Sequence, residues 1–367
     1  MEKNTITFHQ QLLLMILFIL GSSILFGVNK TAGNDAWITV IFATIAIIPI
    51  VLVYARILML FPGKNIFDII EIVFGRIFGD IIIVLFTWYA LHLSALIVDN
   101  FSGYIEIISM PDTPPIVVMI CMLSIAMYLA KNNMRTLGEW AIVAGTVVIF
   151  LICGTMFLEF KDMKFSNLFP IMATDRRTMC LGTYQIMGYP LAETVIFLSL
   201  GESMDRKKGF YKTFLYSISF SCFLMLIIVI RNLLMIGLPM VESSCFPSFA
   251  TARLIEVGSF LSRIEGTISI NLILAGITKI TVCLICATKG LSKLFHLQDY
   301  QRLVFPTGLL VLALCSNLFE NILEMFEFTD YYSFYAAPFQ TLIPIMTWIG
   351  GEIYVKKHRT VLKQSNN

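Results

Sequence analysis

The chain alternates long apolar runs with short polar connections over almost its whole length. A helix needs roughly 20 residues to cross the hydrocarbon core of a bilayer. Seven uncharged runs come close to that length, and three further runs carry one charge each. The pattern therefore predicts ten transmembrane helices, at 10–29, 37–55, 81–98, 113–130, 140–158, 178–201, 213–238, 267–288, 303–319 and 331–351.

The composition supports the same class of protein. Of the 367 residues, 57% are hydrophobic and 14% are charged, and the mean hydropathy is +0.82. A soluble fold of this composition would expose large apolar surfaces to water. We therefore expect an all-α integral membrane protein with a single transmembrane domain over 1–367 and no soluble domain. The sequence lacks the dense basic patch that would indicate a nucleic-acid partner.

No set of side chains has the spacing of a catalytic or metal site. Cys283 and Cys286 have the CxxC spacing, but they lie within a predicted span without a second pair or a nearby histidine. Metal and redox sites need such further groups. We predict no catalytic residues, no cofactor and no metal, and the chain is not expected to be an enzyme.

Lysine and arginine are distributed unevenly between the two sets of connections. If the N-terminus faces the cytoplasm, seventeen Lys and Arg residues lie in cytoplasmic segments and seven in outer segments. Positive residues favour the cytoplasmic side. The sequence therefore predicts that both termini are cytoplasmic, although the outer loop 159–177 runs against the trend. The other long outer connection, 239–266, contains "SFATARLIEVGSFLSRIEG", in which apolar residues recur at helical spacing. This stretch is predicted to form an amphipathic helix that either lies at the membrane interface or caps the outer face.

Two predicted spans contain residues that interrupt helices. Span one has Gly21, Ser22 and Ser23 in its middle, and span six has Gly188 and Pro190. If the ten spans form two inverted repeats, at about 10–158 and 178–355, spans one and six correspond. Matching interruptions of this kind indicate a transporter-type binding site near mid-membrane. The alternative is that the small residues serve close helix packing.

A break in lipid must be enclosed, because unpaired backbone groups are tolerated only where protein, water or a ligand satisfies them. Free N–H groups in span one would offer a site for a small anion such as a carboxylate. An aromatic residue of span three would complete the lining if that span packs there. The predicted ligand-binding residues are Gly21, Ser22, Ser23, Ile24, Leu25, Tyr89, Gly188, Tyr189, Pro190 and Leu191.

Two ionisable residues lie inside predicted spans and are candidates for coupling or charge roles. Glu193 follows the break in span six and is either a structural cap or a ligand for an amine or proton. Lys279 lies at the centre of span eight, where it either occupies the place of a coupling cation or pairs with Glu193. Arg231 is close enough to the outer boundary to extend its side chain to water.

Several stretches of the chain resemble one known family. The segment "YPLAETVIFLSLGE" is similar to the aromatic-Pro-x-Gly-Glu-Thr stretch in the sixth span of bacterial spore germinant receptor B subunits, with Ala192 in place of the glycine. The segments "FPGKNIFDIIEIVFGRIFG", "FPSFATARLIEVGSFLSRIEG" and "LSKLFHLQDYQRLVFP" resemble the same family in the same order. The resemblance implies the inverted-repeat fold of the amino acid-polyamine-organocation superfamily.

The resemblance also implies a function. Such a subunit binds a small germinant, typically an amino acid, between spans one, three, six, eight and ten. It lies in the inner membrane of the spore and works with an A subunit and a lipoprotein C subunit. The alternative is a proton-coupled amino-acid permease in which Glu193 or Lys279 titrates. Both functions would use the same cavity.

Overall fold

The computed structural model describes residues 5–26, 30–205, 209–254 and 265–365. Nearly all of them are helical. The extended pairing within these ranges is an isolated parallel bridge between Ile6 and Met204. The described chain is built from twelve α-helices in this order: α1 Phe8–Phe26, α2 Ala36–Leu60, α3 Ile66–Ile108, α4 Pro115–Lys131, α5 Met134–Glu159, α6 Arg176–Ile186, α7 Phe210–Ser243, α8 Pro247–Ala252, α9 Glu265–Leu294, α10 Val304–Cys315, α11 Ile322–Ala337 and α12 Ile343–Ser365.

Shorter helical turns join some of these helices. Two wide turns, Met187–Leu191 and Pro338–Leu342, follow α6 and α11. A 3-10 helix, Ala192–Ser203, follows the first of them. Further 3-10 turns are Lys30–Asp35, Phe165–Leu168 and Tyr300–Leu303.

The ten predicted spans all fall on helical segments of the described chain. Five helical segments are long and apolar enough to cross a membrane, and three shorter apolar helices accompany them. The remaining two spans are composite: α6 continues through Met187–Leu191 into Ala192–Ser203, and α11 continues through Pro338–Leu342 into α12. The protein is therefore an all-α polytopic membrane protein. Its division into two inverted halves stays a prediction.

The third span is longer than the sequence pattern predicted. The pattern placed it at 81–98, whereas α3 has 43 residues and begins at Ile66. The Asn65 side chain caps its start by accepting a hydrogen bond of 3.1 Å from the Asp68 N–H. Gly75 adopts φ 74°, a value that favours glycine. The helix therefore changes direction at Gly75, between residues 66–74 and the part that crosses the membrane. Charged residues beside this turn hid the extension from a search for uncharged runs.

Helix α9 lies at the centre of the bundle and packs against α1, α3, α4 and α5. Close approach to α1 depends on Gly21, because a Cβ there would lie 3.1 Å from the Ala275 carbonyl oxygen. Close approach to α3 depends on Gly276, where a Cβ would lie 2.6 Å from the Phe101 ring. Small residues at helix contacts allow backbones to approach in this way.

The interruption predicted in span one is wrong for the described residues. Helix α1 runs without a break from Phe8 to Phe26. Gly21 serves the contact with α9, and the Ser23 hydroxyl donates to carbonyls of its own helix, at 3.3 Å from both Ile19 and Leu20. Gly21 is therefore used for helix packing and Ser23 for internal hydrogen bonds. Residues 27–29 of this span, which include Gly27, lie outside the described residues.

One end of the bundle is held together by a buried carboxylate. Asp35 accepts hydrogen bonds from the backbone N–H groups of Met172, at 2.6 Å, and Thr174, at 2.9 Å. Burial raises the pKa of Asp35, but these bonds outweigh it and leave the pKa below its ordinary value. At the same end, α8 forms the start of the predicted amphipathic segment, and residues 255–264 lie outside the described residues.

Candidate functional site

The interruption predicted in span six is present at Tyr189 and Pro190. Tyr189 has φ −132° and ψ 111°, an extended conformation that the residue before a proline favours. Pro190 has no N–H to donate to a helix. The Gln340 side chain donates to the Gly188 carbonyl at 2.9 Å, and the Tyr54 hydroxyl donates to the Ala192 carbonyl at 3.2 Å. Protein side chains thus donate hydrogen bonds to backbone carbonyls at and beside the break.

Two opposite charges meet beside this break. The Lys279 ammonium of α9 forms an ion pair with the Glu193 carboxylate, and both side chains are fully buried. The second carboxylate oxygen accepts a hydrogen bond of 2.8 Å from the Tyr332 hydroxyl. The ammonium also lies over two aromatic rings, 4.9 Å from the Phe18 centroid and 5.3 Å from the Tyr189 centroid. The pair joins α9 to the broken helix at the centre of the bundle.

A chain of hydrogen bonds extends from this pair across two further helices. The Tyr332 hydroxyl of α11 lies 3.1 Å from the Tyr89 hydroxyl of α3. Tyr89 in turn accepts a hydrogen bond of 2.9 Å from Gln340, whose amide also contacts the break at Gly188. A rearrangement of Glu193 would therefore change contacts made by α3, α9, α11 and the broken helix together.

The structure brings together four of the predicted site residues. Tyr89, Tyr189, Glu193 and Lys279 belong to one contiguous cluster. Gly188, Pro190 and Leu191 are buried in the break itself, with Gly188 packed against Ser333. Gly21 and Ser23 are buried in the unbroken α1, where a Cβ at Gly21 would also approach the Lys279 Cβ at 3.5 Å. The side chains of Ser22, Ile24 and Leu25 lie outside the described part of the structure.

Four residues of the cluster were not predicted from the sequence: Phe18, Tyr54, Tyr332 and Gln340. A signal existed for Gln340, because it is a polar residue that closely follows Pro338 inside an apolar run. That combination resembles the signal used for span six. The aromatic residues had no comparable signal, since phenylalanine and tyrosine occur throughout the apolar runs.

A small cavity adjoins the cluster. The rings of Tyr189 and Tyr332, 5.4 Å apart, lie between the cavity and the ion pair. The other lining residues follow Tyr89 in α3 or precede Tyr332 in α11, so the cavity extends away from the pair along these two helices. These other lining residues are Leu93, Leu96, Ile97, Asn100, Met325, Phe328 and Thr329.

A second group of charges lies where the first turn of α3 meets the last turns of α9. Lys289 donates to the Ser199 carbonyl at 2.9 Å and to the Glu202 carboxylate at 2.8 Å. The other oxygen of Glu202 accepts from the Asn65 side chain at 2.9 Å. Lys293 forms an ion pair of 2.7 Å with Asp68. These contacts hold the end of the broken helix against α3 and α9.

Arg231 does not extend to water, and that expectation is wrong. Its side chain is 2% exposed, and its guanidinium lies 3.3 Å from the Glu159 carboxylate at the end of α5. It also donates to the hydroxyl of Thr155 and the amide oxygen of Asn232. A buried guanidinium is retained where it finds a counter-charge and hydrogen-bond acceptors, and the fold supplies both.

Comparison with known proteins identifies relatives over nearly the whole chain. A family model described as "Spore germination protein" (Spore_permease) matches residues 5–322. Spore germination protein KB of Bacillus subtilis (strain 168) is 24% identical over 98% of this chain and 97% of its own length. The putative spore germination protein YfkT of the same organism is 24% identical over 87% of this chain and 88% of its own length.

Solved structures of transporters share the fold. MHP1, a nucleobase-cation-symport-1 family transporter solved with bromovinylhydantoin bound, matches 93% of this chain and 77% of its own with a TM-score of 0.65 and 10% identity. MhsT in complex with L-phenylalanine matches 91% of this chain and 87% of its own with a TM-score of 0.63 and 13% identity. The chain is a germination-related, permease-like membrane protein and not an enzyme. Because the family model covers most of its length, the chain belongs to the spore germination protein family.

Proposed function

We propose that the protein is the germinant-sensing membrane subunit of a spore germinant receptor. It binds a small ligand near the break at 188–191, for which an amino acid is the class that the family resemblance implies. The bound state is passed to the A and C subunits to start germination. The subunit lies in the inner membrane of the spore with both termini in the cytoplasm. Family membership and the buried cluster beside the break support this proposal.

The observation that carries the proposal is the ion pair between Glu193 and Lys279. Both charges are buried, and Glu193 also holds the Tyr332 hydroxyl. A buried pair is costly to break, so the cluster favours discrete arrangements over gradual ones. A ligand shifts such an equilibrium by binding one arrangement better than the other. The helices joined by the pair would then move together, which gives partner subunits a change to detect.

The fold favours a second candidate, a proton-coupled amino-acid permease. The chain shares its fold with two solved transporters. In a permease Glu193 would accept the coupled proton and release Lys279 during each cycle. The two functions differ in turnover, because a permease moves substrate by itself, whereas a receptor needs its partners and moves no germinant.

Germination assays separate the two candidates. Spores that carry this chain and its partner subunits as their sole receptor are screened with single small molecules, beginning with amino acids. We expect Tyr332→Phe to raise the half-maximal germinant concentration about tenfold at unchanged protein level, because one buried hydrogen bond to a charged group is lost. Glu193→Gln is expected to shift the response further, since it leaves the Lys279 ammonium without its carboxylate.

Glu139→Gln is the matched control, because Glu139 is an exposed carboxylate paired with Arg135. Its spores should respond like wild type. The sensing proposal fails if Glu193→Gln and Tyr332→Phe leave the dose response unchanged while the purified chain alone accumulates amino acids in vesicles. That result would establish the permease instead.

A further inference from the structure

We infer that the cavity beside Tyr189 and Tyr332 is a binding site for a small, uncharged, largely apolar molecule that donates one hydrogen bond. This inference deepens the proposed function and rests on it. It assigns the ligand to a place next to the ion pair instead of at the pair, and it replaces a zwitterionic amino acid with a neutral molecule.

The lining of the cavity excludes a charged occupant. Among the described residues it is lined by leucine, isoleucine, methionine, phenylalanine, threonine and tyrosine side chains and one amide, and by no lysine, arginine, aspartate or glutamate. The ammonium and carboxylate of a zwitterion would enter such a cavity without counter-charges, which costs several kcal/mol for each unpaired ion. A neutral molecule with methyl or methylene groups loses nothing comparable and gains contact with the apolar walls.

Asn100 supplies the polar contact. Its side chain is 8% exposed and lines the cavity. Its Oδ1 atom is buried and has no hydrogen-bond partner in the described part of the chain. A buried acceptor without a partner is unfavourable, and a donor on the ligand would remove that cost. The ligand should therefore carry an N–H or O–H group on an otherwise apolar body.

The place that a ligand cation would take at the break is already filled by Lys279. Its ammonium pairs with Glu193 and lies over the Tyr189 ring. An amino acid would have to break this pair to bind there. A molecule in the cavity instead contacts Tyr189 and Tyr332, and Tyr332 donates to Glu193. Binding in the cavity can therefore shift the position of Tyr332 and, through it, the ion pair.

A pair of probes with the same number of non-hydrogen atoms tests the inference. Isobutyramide is neutral and branched and carries N–H donors, whereas L-alanine is a zwitterion of similar shape. Each is titrated against the purified full-length chain in lipid nanodiscs, and saturation-transfer NMR measures the affinity. Isobutyramide is a small fragment, so the chain should bind it with a dissociation constant on the order of millimolar.

Asn100→Leu removes the acceptor at nearly constant volume, and we expect it to weaken isobutyramide binding about tenfold, as for one buried hydrogen bond. Asn271→Leu is the matched control. Asn271 is likewise buried, its amide atoms have no hydrogen-bond partner among the described residues, and it does not line the cavity. If Asn100→Leu does not fold, Thr329→Leu, which places a larger side chain in the cavity, should reduce binding instead.

The inference is supported if isobutyramide binds saturably, L-alanine binds at least tenfold more weakly, and Asn100→Leu but not Asn271→Leu weakens the complex. It is overturned if isobutyramide does not bind, if L-alanine binds as well, or if Asn100→Leu and Thr329→Leu bind like wild type. The sensing proposal is judged separately by the germination response of Glu193→Gln. L-alanine binding that depends on Glu193 would overturn the neutral-ligand inference and leave the sensing proposal intact.

Discussion

The ion pair between Glu193 and Lys279 gives a quantitative prediction for stability. Both side chains are fully buried, so neither charge can be hydrated if its partner is removed. Loss of one partner from a buried pair costs roughly 3–5 kcal/mol. We therefore expect Glu193→Gln and Lys279→Met each to lower the free energy of unfolding by about that amount. In Lys279→Met the Tyr332 hydroxyl still donates to the carboxylate, which places this variant at the lower end of the range.

The double variant should be much less damaged than the sum of the singles. Replacing both members of a buried pair by neutral groups of similar volume is often nearly neutral or stabilising. A double-mutant cycle of Glu193→Gln and Lys279→Met should then give a coupling energy of at least about 3 kcal/mol, since both single variants carry the cost of a lone charge. Reversible unfolding of the purified chain in mixed micelles, followed by tryptophan fluorescence, measures the four free energies.

The exposed pair Arg135–Glu139 is the control for this cycle. Its atoms are as close as 2.9 Å, but the two side chains are 66% and 58% exposed and lie one turn apart on α5. A pair of this kind contributes about 0.3–0.5 kcal/mol. The reasoning would be refuted if the Glu193 and Lys279 variants each cost less than about 1 kcal/mol and their effects simply added, as independent sites do.

Two further predictions concern other parts of the fold. Gly188→Ala should lower the free energy of unfolding by about 1–3 kcal/mol, because its Cβ would lie 2.5 Å from the Ser333 hydroxyl. Gly154→Ala should not destabilise the protein, because its Cβ would meet no atom of the described residues within 4 Å. Asp35 has a lowered pKa, so its stabilising effect is present above the ordinary pKa of an aspartate and is lost as the pH falls through the lowered value. Asp35→Asn should therefore destabilise the protein near neutral pH and flatten the acid limb of its stability curve. Thermal unfolding of each variant across the pH range checks both expectations, and an unchanged acid limb in Asp35→Asn would contradict the second.

The sequence by itself determined the number of spans and the break in span six. Each span needs about 20 apolar residues, and that requirement depends on local composition alone. The break was predictable because Pro190 cannot donate a backbone hydrogen bond and restricts Tyr189 before it. Glu193 and Lys279 stood out because a charge within an apolar run is costly and needs a reason.

The pattern of small residues could not be interpreted without neighbouring helices. Glycine and serine in a membrane helix are compatible with a break and with close packing, and the sequence does not distinguish the two. The carbonyl of Ala275 beside Gly21 and the internal hydrogen bonds of Ser23 decide for packing. The environment of Arg231 could not be predicted from the sequence either, because its counter-charge Glu159 lies on another helix, 3.3 Å away in space and far away in sequence.

Only the tertiary structure decided which residues complete the cluster. Tyr332 and Gln340 come from the last span, and they reach Glu193 and Gly188 because α11 and its wide turn pack beside the broken helix. The cavity depends likewise on the packing of α3 against α11. Hydropathy and helix-breaking residues are properties of a single segment, so they can be identified from the sequence of that segment alone. Contacts between distant segments depend on which helix faces pack together, and that choice is made by the whole bundle.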